Sequence, residues 1–110
     1  MSGFSREDFE FGEQIAIIGL ALGEIRAPTM VITNELLMKI QTALLRSKIL
    51  VKHTLGFETV FGRLESIQSI IEEMLATNSP VIEVSSDDKK LLMEHYAELK
   101  DEVVKAYAHI

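Results

Sequence analysis

A chain of 110 residues, 47% hydrophobic and 25% charged, is long enough for one domain with its own core and too apolar to be disordered. It contains no cysteine, which excludes disulfides and cysteine-ligated zinc or iron–sulfur sites. Its net charge of −6 disfavours nonspecific attraction to nucleic acid or anionic lipid.

The first helix is expected from Arg6 to Arg26, with Ser5 as N-cap, Asp8 as its capping-box partner, and Ala27 and Pro28 as the stop. Phe11, Ile15, Ile18, Leu22 and Ile25 recur at helical spacing and make one apolar face. Beside them runs a stripe of small residues, Gly12, Ala16, Gly19 and Gly23, whose glycines together forgo about 2 to 3 kcal/mol of helix propensity. On the far side, Ile17 and Leu20 sit between Glu13 and Glu24, where a surface helix is normally polar. Apolar groups on three sides need cover on three sides, so Gly12, Ala16, Ile17, Gly19, Leu20 and Gly23 are candidate interface positions; a tight crossing inside the monomer is the alternative use of the small stripe. The uncharged run Gln14 to Gly23 is ten residues, against about 20 for a membrane span. The acids before it are the wrong flank for a secretory signal, which leaves the cytoplasm as the default expectation.

The second helix is expected after Thr33 and Asn34, either of which can cap it, and on to about His53. Leu36, Leu37, Ile40, Ala43, Leu44, Leu50 and Val51 form its core face. A second stripe, Met38, Leu45 and Ile49, points elsewhere and is edged by Lys48 and Lys52 on one side and by Lys39, Arg46 and His53 on the other. An apolar centre with a basic rim suits an acidic amphipathic helix, of which the chain's own fourth helix is an example. A central helix with outward-reaching lysines is the alternative.

The third helix carries the stripe Phe57, Val60, Phe61, Leu64, Ile67, Ile71, Met74 and Leu75, with Glu58, Arg63, Glu65 and Glu72 outside it, and ends at 77–80. Leu36, Ala43, Leu50, Phe57, Leu64 and Ile71 fall at intervals of seven, so the second and third helices could instead be one long helix continuous through Gly56. The break is preferred because Gly56 and Gly62 would cost a solvated helix about 2 kcal/mol. The fourth helix is capped by Ser85 or Ser86, opened by Asp87 and Asp88, and striped by Leu92, Tyr96, Leu99, Val103, Ala106 and Ile110. The connectors Met30 to Thr33 and Val81 to Ser85 are β-branched segments that each follow a proline. They could pair as a ribbon, but an isolated two-stranded ribbon is marginal, so separate extended linkers are expected. The fold expected is all-α: residues 1–110 as a single antiparallel four-helix bundle with short extended connectors.

Chemistry is sparse. No phosphate-cradling glycine loop, nucleophile elbow or zinc-protease helix occurs, and His95 and His109 are too far apart to share a metal ion. No metal or cofactor is therefore expected. The ten-residue segment from His53 to Gly62 (His53, Thr54, Leu55, Gly56, Phe57, Glu58, Thr59, Val60, Phe61, Gly62) loosely resembles the phospho-accepting segment of histidine phosphotransfer domains, which are four-helix bundles with an exposed histidine. That resemblance implies His53 as a phospho-acceptor in a signalling bundle. It departs from that pattern by lacking a lysine between Leu55 and Gly56 and by placing Phe57 and Glu58 where small residues would admit a partner. The leading expectation is a non-enzymatic structural, adaptor or chaperone-like subunit, acting by homo-oligomerisation or by binding a partner helix. The phosphotransfer role of His53 is the alternative.

Overall fold

The computed structural model describes residues 5–26, 28–51 and 57–108. Their order is α1 (Arg6–Leu22), β1 (Val31–Thr33), α2 (Asn34–Leu50), α3 (Glu58–Leu75), β2 (Val81–Glu83) and α4 (Ser86–Ala108). The helices run alternately up and down in an elongated bundle of 48 × 21 × 19 Å. In it α1 packs on α2, α2 on α3 and α3 on α4, while the α4–α1 seam that closes the ring is the thinnest of the four.

Local sequence sets the helix starts. The Ser5 hydroxyl accepts from the Asp8 amide at 3.2 Å and the Asp8 carboxylate accepts from the Ser5 amide at 2.9 Å, the reciprocal capping box. Thr33 caps α2 through the Leu36 amide at 3.1 Å, and Ser85 caps α4 through the Asp88 amide at 3.0 Å. In contrast, α3 starts at Phe57 without a side-chain cap and relies on its buried stripe.

The helix ends differ from expectation. α1 stops at Leu22 rather than Arg26, because the Glu24 and Ile25 amides bond to the Ala21 and Leu22 carbonyls in a tighter turn that leaves Ile25 buried. α2 stops at Leu50 rather than His53, where Val51 is extended and buried. α2 and α3 are therefore separate helices, and the four-helix arrangement holds over the continuous one; Gly56 itself lies outside the described residues. α3 ends three residues before Asn78, which takes a left-handed conformation at φ 53°, as asparagine does beyond helix ends.

The connectors are a correction. They are not separate linkers but pair as an antiparallel ribbon, with Ile32 opposite Ile82. Two flanking bonds extend the ladder, Asn34 amide to Pro80 carbonyl at 2.9 Å and Val84 amide to Met30 carbonyl at 2.8 Å. Ile32, Ile82 and Val84 are buried at the end of the bundle. That burial supplies what an isolated ribbon lacks.

The core is the set of stripes expected: Phe11, Ile15, Ile18 and Leu22 of α1; Leu37, Ile40 and Leu44 of α2; Val60, Leu64, Ile67 and Ile71 of α3; Leu92 and Leu99 of α4. The one buried polar residue among those described, Ser47, donates to the Ala43 carbonyl at 2.7 Å and so costs little.

Candidate interaction surfaces

The small stripe of α1 divides into three uses. A Cβ at Gly19 would overlap the ring of Tyr96, which reaches across from α4 and donates its hydroxyl to the Ile15 carbonyl at 2.9 Å. Gly19, a candidate for contact with another subunit, is thus filled from within the chain, because the up-down topology lays the middle of α4 along the middle of α1. Burial of that hydroxyl pushes the Tyr96 pKa up. Gly23 is the C-cap of α1, and the atoms near its missing Cβ are carbonyls of its own helix. Gly12 has nothing within 4 Å of the Cβ position.

Gly12 and the exposed Ala16 floor an apolar groove between α1 and α4, about 490 Å³ in volume, walled by Phe9, Phe11, Val103 and Tyr107 and rimmed by Asp8 and Glu13. Tyr107 holds its far wall. Its ring stands edge-on to Phe57 at 5.2 Å and tilted against Phe11 at 6.3 Å, and its hydroxyl donates to Asp8 at 3.0 Å. Burial, then the hydrogen bond to Asp8 and last its negative charge, drive the Tyr107 pKa well above the ordinary tyrosine value. Phe9 is 63% exposed at the mouth of this groove. Farther along α1, Leu20 is 76% exposed and borders a small cleft with the half-buried Ile17 and with Leu36 and Lys39 of α2.

The outward stripe of α2 is also open: Met38, Leu45 and Ile49 are 50%, 44% and 70% exposed. Its basic rim is partly engaged at home. Arg46 forms an ion pair with Glu10 of α1, and the hydrogen bond it donates holds the Glu10 carboxyl below its usual range. Lys48 reaches Glu65 at 3.6 Å and Gln68 at 2.9 Å on α3 and lies over the Phe61 ring. Lys39 is exposed and has no ion pair among the described residues. Lys52 and His53 lie outside the described residues, so the phospho-acceptor expectation falls there too. A rim expected to face a partner thus meets acids of α1 and α3 first, because α2 stands between those two helices.

One cluster went unrecognised in the sequence. Arg63 of α3 bonds to His95 at 2.8 Å, to Glu98 and to Glu102 at 3.4 Å, all on α4. A guanidinium only donates, so His95 Nδ1 is the acceptor in this contact. The signal was present, since positions 95, 98 and 102 share one helical face. The cluster fastens α3 to α4.

Among the described residues no group of three or more histidine, aspartate or glutamate side chains is placed to hold a metal ion, and no helix is long and apolar enough to cross a membrane. Comparisons of the chain with protein-family models, with characterised proteins and with solved structures give no match, so the surfaces described here carry the functional reading alone.

Proposed function

We propose that this protein is a non-enzymatic helical subunit, of the structural, adaptor or chaperone-like kind, that works by association with further copies of itself or with a partner helix. The observation that carries this reading is the exposure of large apolar side chains at helical spacing on outer faces that a self-sufficient bundle keeps polar, Leu20 at 76% and Ile49 at 70% foremost. The mechanism is burial of these stripes, with the charges at their edges selecting orientation more than strength.

Solution mass by light scattering across a hundredfold range of concentration tests it. A mass above 12.4 kDa supports self-association, and Leu20→Glu or Leu45→Glu then lowers it with helical content unchanged. A monomer at every concentration removes self-association and leaves a foreign partner helix as the occupant.

A further inference from the structure

Two open apolar features among the described residues differ in shape and in charge. The α2 stripe is convex, built from Met38, Leu45 and Ile49. The α1–α4 groove is concave, floored by Gly12 and Ala16. The stripe from Met38 to Ile49 advances eleven residues and the α1 lining of the groove, from Asp8 to Ala16, advances eight, about 16 and 12 Å at 1.5 Å per helical residue. After the internal ion pairs are formed, Lys39 edges the stripe and Glu13 edges the groove, each without an ion pair among the described residues. The two features lie on the outer faces of different helices of one bundle, so a single copy cannot bring its own stripe into its own groove.

Building on the association reading above, we propose that the protein associates head to tail, with the α2 stripe of one copy seated in the α1–α4 groove of the next. Bulky side chains then enter the space that glycine and alanine leave, and Lys39 approaches an acidic rim. The symmetric alternatives fit worse. Stripe on stripe sets large residues and lysines against their own kind, while groove on groove leaves the glycine floor unfilled and Glu13 facing Glu13. A head-to-tail contact leaves one stripe and one groove unsatisfied at the ends, so assemblies grow with concentration unless they close into a ring.

Two blocked variants test this geometry. Leu45→Glu with Ile49→Glu disables the stripe and keeps the groove; Gly12→Gln with Ala16→Gln fills the groove and keeps the stripe. The expected result is that the wild type exceeds 12.4 kDa, each variant alone stays at 12.4 kDa, and an equimolar mixture gives a particle of twice that mass and nothing larger. Circular dichroism confirms that each variant is folded; if a double variant is not, Ile49→Glu and Gly12→Gln replace it, at a side chain 70% exposed and at a glycine with nothing within 4 Å. A variant that associates alone, or a mixture that stays monomeric, overturns the head-to-tail contact and leaves self-association standing. A monomeric wild type overturns both.

Discussion

α1 and α3 have similar lengths and equally apolar inner faces, yet they meet solvent in opposite ways. The outer face of α3 shows Glu58, Gly62, Glu65, Ser69 and Glu73, and among the described residues no large hydrophobic side chain is exposed on it. The outer face of α1 shows Phe9, Gly12, Ala16 and Leu20. Everything apolar on α3 is accounted for inside the chain, by α2 on one flank and α4 on the other. α1 has the same number of flanking helices and more apolar surface than they cover. Surplus of this kind, set beside a helix that has none, separates residues that hold the fold from residues whose apolar surface the chain itself leaves exposed.

The sharpest way to break the comparison is to truncate one leucine from each helix. Leu64→Ala, at a fully buried site in α3, is expected to cost about 2 to 5 kcal/mol in urea unfolding. Leu20→Ala is expected to stay within about 0.5 kcal/mol under conditions where the protein is monomeric. Equal costs would mean that α1 is as fully packed as α3. The glycines of α1 provide the next contrast. Gly19→Ala should destabilise by about 1 to 3 kcal/mol, because the added methyl displaces the Tyr96 ring and its bond to Ile15. The Thr33→Ala variant loses the α2 cap and should cost about 1 kcal/mol in thermal unfolding. Gly12→Ala should instead stabilise by about 0.5 to 1 kcal/mol, since the methyl meets nothing and the helix gains propensity.

A gentler probe is alkaline pH. Tyr96 and Tyr107 both titrate in the fold above the ordinary value of 10, so the unfolded chain releases these protons first. The stabilisation is therefore complete below pH 10 and is lost as pH rises through the raised values. Unfolding free energy measured against pH should fall less steeply in that range for Tyr96→Phe and Tyr107→Phe than for the wild type.

Much of the fold was legible because it is written locally. Ser5 with Asp8, Thr33 and Ser85 announce three helix starts, and the apolar stripes name the core almost residue by residue. What escaped depends on neighbours far along the chain. The ribbon is stable only because Ile32 and Ile82 share a buried site, and nothing in either connector alone reveals the other. Gly19 reads as a contact residue, which it is, but its contact is Tyr96 on a helix that topology alone brings near. The α2 charges were visible while their partners were not, since Arg46 and Lys48 act according to which acidic helices stand beside them. Of the candidate interface, Leu20, Met38, Leu45 and Ile49 stood out for lacking an inward role, and the structure leaves these four exposed. The groove between α1 and α4 needed two helices in place before it existed.

The ribbon also bears on time. Most packing in this bundle joins helices adjacent in the chain, whereas Val31 meets Glu83 across nearly half its length. Closing so long a loop costs entropy that prior docking of α2 on α3 reduces, so the pairing is expected to form after the rate-limiting step of folding. Interactions that form so late act on escape from the native state rather than on entry to it. Ile82→Ala should accordingly speed unfolding in stopped-flow experiments and leave the refolding limb nearly unmoved. With that outcome, the three residue pairs at one end of the molecule would be a latch, setting how long a folded copy lasts rather than how quickly it forms.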